Sequence, residues 1–144
     1  MLCQSSYQVH SFVCKKPRDG DWPVPTPTTI PSGHCKRGFT EFQGYCYKIM
    51  GFAEEKRDWH RAKDGCRDDF KAELASIHSA REAAKITTML VPLLDHDQDE
   101  SSSKIWIGAH EASEGIWWWS DESRWDFTNW APGEPNDMYY NPVS

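Results

Sequence analysis

The chain has 144 residues, a formal net charge of −6 at pH 7, and a composition that is 38% hydrophobic and 13% aromatic. This length allows one domain with short additions, and the acidic balance argues against binding to nucleic acid, whose phosphates require a basic face. No apolar run approaches the roughly 20 residues of a membrane span, and no basic stretch followed by an apolar run marks a secretory leader.

The first 33 residues differ in character from the rest of the chain. The every-second positions Tyr7, Val9, Ser11 and Val13 predict a short strand, and Cys3 and Cys14 flank this segment. Five prolines then lie within residues 15–33. Because proline restricts φ and withholds a hydrogen-bond donor, residues 17–33 are predicted to form an extended, semi-rigid linker.

Residues 35–50 are predicted to form a hairpin with its turn at Gln43 and Gly44. Cys35 and Cys46 would then be cross-strand partners at the base of the hairpin. The ten residues between them suit a disulfide and do not match the short spacing of zinc ligands.

Two helices with an apolar face are predicted next. Asp58 is the expected N-cap of the first helix, in which Trp59, Ala62 and Cys66 recur at intervals of three and four residues. A short strand is expected over residues 74–78.

The second helix is expected to begin at a capping box formed by Ser79 and Glu82. Ala83 and Ile86 lie on its apolar face, and Pro92 is expected to distort or end it. Both helices are interpreted as structural.

Residues 95–103 contain alternating aspartates, as at the start of an EF-hand calcium loop. The pattern then fails, because the sixth position is Glu100 where the loop requires glycine and the twelfth is Trp106 where it requires glutamate. The segment is therefore interpreted as a solvated acidic loop.

No group of residues predicts catalysis. The chain contains neither G-x-S-x-G nor H-E-x-x-H, and its six histidines are scattered without ligand spacing. Neighbouring acids such as Asp121 and Glu122 are better explained as loop polarity, since general acid catalysis requires a cleft. The protein is predicted not to be an enzyme.

The most distinctive stretch is residues 104–137, which hold six of the eight tryptophans and end in Glu134, Pro135, Asn136 and Asp137. Calcium takes six to eight oxygen ligands, of which Glu134 offers a carboxylate and Asn136 an amide carbonyl. A cis bond before Pro135 would point both side chains the same way. An ordinary surface turn is the alternative interpretation of this triplet.

From Cys35 onward, about 110 of the 144 residues, the chain resembles the C-type lectin-like domain. The resemblance is carried in order by the cysteine-bounded hairpin, the helix with Trp59 and Cys66, and the motifs L-A-S-I, W-I-G, W-S-D, N-W and E-P-N. It implies an α+β fold in which two helices pack on small antiparallel sheets with a long loop region, incomplete at its C-terminal end.

In sugar-binding members of that family, E-P-N is associated with mannose, fucose and N-acetylglucosamine, and Q-P-D with galactose. The resemblance therefore implies Ca2+ as a cofactor and mannose-type glycans or glycoproteins as partners, bound through Glu134 and Asn136 with Pro135 as the cis turn. Glu111, Glu114 and Asp137 match the ligands of an auxiliary calcium site.

The resemblance also implies an organisation of tandem domains, as in the mannose receptor family. Residues 1–16 would be the tail of a preceding lectin-like domain, residues 17–33 the linker, and residues 34–144 a lectin-like domain truncated at its C-terminus. An unrelated N-terminal extension is the alternative for residues 1–16. The expected location is extracellular, in a secreted protein or in the ectodomain of a multi-domain, membrane-anchored receptor.

The family pairs the cysteine of its terminal strand with the helix cysteine, and it carries the Cys35–Cys46 bridge in its long form. Truncation predicts that this chain alone binds calcium and sugar weakly or not at all. A further hypothesis places the N-terminal strand beside the opening hairpin, with Cys14 bonded to Cys66.

A function of another class is also considered, in which the domain binds protein, or is merely structural, without calcium. Its interface would be the tryptophan-rich face. An exposed Trp117 or Trp118 would favour it, whereas Trp106 and Trp130 are expected in the core under either hypothesis.

Overall fold

A computed structural model describes residues 10–18, 35–51, 56–94, 104–113 and 115–133. Outside these ranges lie several of the residues for which the sequence makes predictions, namely Cys3, residues 19–34 of the linker region, the acidic loop 95–103, Glu114, Glu134, Pro135, Asn136 and Asp137.

The first strand, β1 (Ser11–Pro17), lies at the centre of a five-stranded sheet. It pairs antiparallel with β3 (Tyr45–Met50) and β4 (Glu73–Leu74), and parallel with β5 (Ile105–Trp106). The first six residues of β1 are all buried, because neighbouring elements cover both faces of a central strand.

The described strand runs further along the chain than the strand predicted over residues 7–13. Alternation predicts one solvent-facing side, yet Lys15 and Lys16 are each only 5% exposed. β1 lies beside β3 of the opening hairpin, and Cys14 is bonded to Cys66 with 5.5 Å between their Cα atoms. This is the arrangement that the hypothesis of an N-terminal strand required.

The predicted hairpin is formed by β2 (Thr40–Phe42) and β3, which pair antiparallel. Gln43 and Gly44 at its turn have φ angles of 49° and 82°. A type I′ turn requires positive φ at both central positions, and such turns match the twist of the flanking strands. The Cys35–Cys46 disulfide links the start of this region to β3.

The first helix, α1 (Trp59–Phe70), begins at the predicted N-cap. The Asp58 side chain accepts a hydrogen bond from Arg61 N at 2.9 Å, which satisfies one of the free donors of the first turn. The helix ends at Lys71, whose φ of 52° is left-handed. Trp59, Ala62 and Cys66 are buried against the sheet, as the spacing predicted.

The second helix, α2 (Ala80–Leu94), has only half of the predicted capping box. Glu82 N donates to Ser79 Oγ at 3.1 Å, but the Glu82 carboxylate accepts from His78 N at 2.7 Å. Pro92 lies inside the helix, which continues to Leu94. The strand expected over residues 74–78 is shorter than predicted, because only its start pairs with β1, in β4.

The last two strands, β6 (Ala109–Ser113) and β7 (Ile116–Trp119), form a separate antiparallel hairpin. The main hydrophobic core joins this hairpin to the central sheet and α2, and its buried members include Val13, Tyr47, Ala75, Ile86, Ile105, Ile107 and Trp119. The two helices and the small, mainly antiparallel sheets make an α+β fold, as expected. Within the described ranges, no helix is long and apolar enough to cross a membrane.

Candidate functional site

The E-P-N triplet follows directly after Gly133 in the chain, so the described structure ends where the predicted site begins. Residues 122–131, which lead toward it, form neither helix nor strand. Among the residues that the structure describes, no group of three or more His, Cys, Asp or Glu could hold a metal ion. The described part of the site is therefore the segment that leads to Glu134, and the contacts of this segment hold it in place.

The path is anchored first at Asp121 of the W-S-D motif, which is 7% exposed. One carboxylate oxygen, Oδ2, accepts from Ser76 Oγ at 2.5 Å. The other, Oδ1, accepts from Ser123 N at 2.9 Å and from Ser123 Oγ at 2.5 Å. The carboxylate thus joins the segment after β7 to the chain between β4 and α2.

A close backbone approach supports this anchor. Ser120 N donates to Gly108 O at 2.7 Å, which ties the W-S-D motif to the W-I-G motif. A Cβ atom at Gly108 would lie only 2.7 Å from Leu74 O and 2.8 Å from Ser120 Oγ. The W-I-G motif needs glycine here because the backbone of Leu74 and the side-chain hydroxyl of Ser120 fill the space.

A second attachment is made by His78. Its Nδ1 lies 2.7 Å from Asp126 Oδ1, and its Nε2 lies 3.1 Å from Ser123 Oγ. The hydrogen bond from His78 holds the pKa of the Asp126 carboxyl below its ordinary value. The sequence did not predict the contact between His78 and Asp126, because neither residue belongs to a recognisable motif.

Tryptophan rings make the third attachment. The ring centroid of Trp125 lies 4.6 Å from that of Trp119 and 6.3 Å from those of Trp117 and Trp130. Trp117 and Trp130 meet edge to face at 4.9 Å. Aromatic pairs at such separations contribute beyond their buried area, so the cluster holds the segment against β7. Trp106 is fully buried as expected, but the expectation for Trp130 is wrong, because this residue is half-buried at the outer end of the cluster.

The hairpin of β6 and β7 carries Glu111, the one auxiliary calcium residue that the structure describes. Its side chain is half-buried, and Oε1 accepts from Gly115 N at 2.6 Å across the turn. The structure thus uses one carboxylate oxygen of Glu111 to close the hairpin. On the same hairpin, Ile116 is 53% exposed and Trp118 is 52% exposed.

A buried polar group lies on the other side of Ser76. Lys15 Nζ donates to Ser76 O at 3.0 Å and to Glu82 Oε1 at 2.5 Å, and Tyr47 OH donates to the same Glu82 oxygen. Burial alone would raise the pKa of Glu82, but the hydrogen bonds from Lys15 and Tyr47 outweigh it and lower that pKa. Burial, followed by the Glu82 carboxylate, raises the pKa of Tyr47. The sequence did not predict this group, because Lys15 lies beyond the strand predicted over residues 7–13.

A family model and several known proteins match this chain. The model of the family described as "Lectin C-type domain" matches residues 55–142. C-type lectin lectoxin-Lio1 of Erythrolamprus poecilogyrus is 38% identical over 112 residues, which cover 74% of this chain and 61% of that protein. The chain therefore spans less than two thirds of the length of that relative.

Two further relatives carry different sugars in their names. C-type mannose receptor 2 of Homo sapiens is 32% identical over 131 residues, which cover 88% of this chain and 8% of the receptor. Galactose-specific lectin nattectin of Thalassophryne nattereri is 32% identical over 110 residues, which cover 76% of this chain and 64% of nattectin. No solved structure matches the chain.

The matched region covers more than half of the chain and contains both helices, the W-I-G and W-S-D motifs and the E-P-N triplet. The family consists of lectins, which bind ligands and catalyse no reaction, in agreement with the expectation from the motifs. The chain belongs to the C-type lectin domain family.

Proposed function

We propose that this protein binds mannose-type sugars through a calcium ion held by Glu134 and Asn136, with Pro135 as the turn between them. Membership of the C-type lectin domain family supports carbohydrate binding in general. The observation that carries the proposal of calcium and mannose-type sugars is the E-P-N triplet at the end of the tryptophan-rich segment.

Hydrogen-bond chemistry explains why the triplet would select a sugar. A carboxylate only accepts hydrogen bonds and an amide NH2 group only donates them. With calcium coordinating two neighbouring sugar hydroxyls, Glu134 would accept from one hydroxyl and Asn136 would donate to the other. Exchanging which side accepts and which donates would favour a different hydroxyl geometry.

The attachments of residues 121–130 support the proposal from the structural side. Calcium affinity depends on the rigidity of the site as well as on the number of ligands. Asp121, His78 and the tryptophan cluster restrain the chain that enters Glu134. An auxiliary calcium site at Glu111, Glu114 and Asp137 is part of the same proposal, with Glu111 contributing its second carboxylate oxygen.

The decisive experiment measures binding to immobilised mannose and to immobilised galactose, in calcium and after chelation. We expect weak, chelator-sensitive retention on mannose and none on galactose, because Glu134 and Asn136 supply only part of the six to eight oxygen ligands that calcium takes. The double variant Glu134→Gln with Asn136→Asp should shift the preference toward galactose. The matched control, Glu122→Gln with Asn129→Asp, makes the same chemical changes at two exposed side chains and should keep the mannose preference. Retention that is unchanged by the chelator and by the double variant at Glu134 and Asn136 would refute the proposal.

A second function is favoured by one specific observation. Ile116 and Trp118, which are more than half exposed, place two large apolar side chains on the β6–β7 hairpin, as a protein-binding surface would. In this alternative the domain binds protein without calcium. Binding that survives chelation and is lost in Trp118→Ala would support it over the lectin proposal.

The setting of the domain is proposed along with its function. Two disulfides, Cys14–Cys66 and Cys35–Cys46, fit an oxidising, extracellular compartment. We infer a multi-domain recognition receptor in which residues 1–16 are the tail of a preceding domain and residues 34–144 a lectin-like domain. In this arrangement β1, which ends at Pro17, fills the place of the terminal strand in the sheet of the lectin-like domain, and the linker of residues 17–33 connects the two after β1 ends. The likeness to C-type mannose receptor 2 over 88% of the chain supports this organisation.

A further inference from the structure

The central strand β1 is held by strands that all come much later in the chain. It pairs with β3, β4 and β5, which begin at Tyr45, Glu73 and Ile105. Among the described strands of this sheet, β4 and β5 pair with β1 alone. A sheet without β1 would therefore separate into the hairpin of β2 and β3 and two strands that have no partner.

The side chains of β1 also complete the hydrophobic core on both faces of the sheet. Val13 belongs to the main core, whereas Phe12 and Cys14 belong to a second buried cluster that contains Trp59 and Trp106. Successive side chains of a strand point to opposite faces, so one strand fills both clusters. The gap between β3 on one edge and β4 and β5 on the other is here called the strand slot. An empty strand slot would expose both clusters to water, which is unfavourable.

The peptide that joins β1 to the rest of the domain begins and ends at one place. Arg18 N donates to Gly44 O at 2.8 Å, and the Cα atom of Cys35 lies 5.6 Å from that of Cys46. Because Gly44 and Cys46 are two residues apart, Arg18 and Cys35 lie within roughly 20 Å of each other. Residues 19–34, which connect them, are outside the described ranges.

The sequence of this connection does not suit so short a span. It contains four prolines and is predicted to be extended and semi-rigid. At about 3.1 Å per residue, an extended segment of this length covers about 50 Å. The effective concentration of a tethered segment is highest when the length of the linker matches the span, and it falls when the two differ. The connection therefore favours the chain's own β1 only weakly over a β1 from another copy.

We propose that two copies of this chain exchange β1, so that the strand slot of each copy holds the β1 of the other. The exchanged dimer keeps the contacts of β1, because strand and strand slot are the same, and the connection stays extended between the copies. Each Cys14 then bonds to Cys66 of the partner subunit, which makes the dimer covalent. The proposal is independent of the proposed sugar binding, because it concerns the protein without ligand.

Oxidative refolding of an isotope mixture tests the exchange. Equal amounts of unlabelled and heavy-isotope-labelled protein are refolded together, with Cys3→Ser in both to remove the fifth cysteine. Trypsin then places the four bonded cysteines in four separate peptides. A Cys14–Cys66 pair with one labelled and one unlabelled peptide comes from two copies. At about millimolar protein at least roughly a quarter of these pairs should be mixed, and at about micromolar the share should fall at least tenfold.

The Cys35–Cys46 bridge is the internal control, because it closes within the opening hairpin region of a single copy. Its peptide pairs should be wholly labelled or wholly unlabelled at both concentrations. The species that carries mixed Cys14–Cys66 pairs should have the mass of two chains by light scattering. Cys14–Cys66 pairs that are never mixed would overturn the proposal in favour of a closed single copy. Equal mixing of both bridges would also overturn it, because random thiol exchange would then explain the result.

Variants of the connection test why exchange occurs. A flexible connection of this length has an average end-to-end distance of about 22 Å, which matches the span within one copy. Substituting the four prolines should therefore reduce the mixed share roughly threefold. These changes are Pro23→Ser, Pro25→Ser, Pro27→Ser and Pro31→Ser. The matched control, Thr26→Ser with Thr28→Ser and Thr29→Ser, keeps the prolines and should leave the share unchanged. An equal mixed share in both variants would refute the role of the stiff connection.

Discussion

Lys15 Nζ of β1 lies 2.5 Å from Glu82 Oε1 of α2, and both side chains are almost completely buried. This ion pair joins the first described strand to the second helix across 67 residues of sequence. The same carboxylate also accepts from Tyr47 OH and His78 N, so both of its oxygens are hydrogen-bonded. A buried ion pair of this kind is costly to break, because removing one partner leaves an uncompensated charge in the core.

Lys15→Met should therefore destabilise the fold by about 3 kcal/mol, because it removes the cation and leaves the Glu82 carboxylate buried. Urea unfolding followed by fluorescence measures this change. Arg18→Met is the matched control, since Arg18 and Glu41 form a more exposed pair, with side chains 23% and 38% exposed. Its cost should be below about 1 kcal/mol. Equal costs for the two variants would show that burial of the Lys15 pair has no special energetic consequence.

Stability should also fall in acid through Glu82. Its pKa is lowered in the fold, so its contribution is present above the ordinary pKa of glutamate and is lost as pH falls through the lowered value. The loss is measured as the difference between the unfolding free energies at about pH 7 and about pH 3. These two pH values lie on either side of the ordinary glutamate pKa of about 4.3. Glu82→Gln should show a smaller loss between the same two pH values. An undiminished acid loss in that variant would assign the effect to other carboxylates.

The two disulfides should differ in their contribution to stability. Cys14–Cys66 closes a loop of 52 residues and Cys35–Cys46 one of 11. In the chain-entropy account the longer loop contributes about 4 kcal/mol and the shorter about 3 kcal/mol. Paired alanine substitutions at each bridge, compared by urea unfolding, should reproduce this order. A larger loss from removing Cys35–Cys46 would contradict it.

Trp125 is expected to be the energetic centre of the tryptophan cluster, because it contacts the rings of Trp117, Trp119 and Trp130. Trp125→Ala should cost about 2 kcal/mol, less than a fully buried tryptophan because the side chain is half-buried, and should reduce the near-ultraviolet circular dichroism. Trp118→Ala removes an exposed ring from the neighbouring hairpin and should change stability by less than about 0.5 kcal/mol. Similar costs for both would mean that the cluster does not restrain the segment.

Local patterns were sufficient for much of the secondary structure. The turn at Gln43 and Gly44, the N-cap at Asp58 and the buried face of α1 follow from short-range rules that act within a few residues. The order of motifs likewise identified the family, which the family model now shows over residues 55–142. Glu134 and Asn136 remain a prediction from sequence, since they lie outside the described residues.

Contacts between distant segments were decided only by the tertiary structure. A two-residue periodicity predicts one solvent-exposed face for a strand, but β1 is covered on both faces. The buried Lys15 is paired with Glu82, which comes from another element. The bridge of His78 to Ser123 and Asp126 spans 45 and 48 residues and belongs to no local pattern. The sequence alone determined the two helices, the opening hairpin and the family, because propensity, capping and motif order act locally. The fold determined which charges are buried and what holds the segment before Glu134, because burial and pairing depend on all the segments that meet at one place.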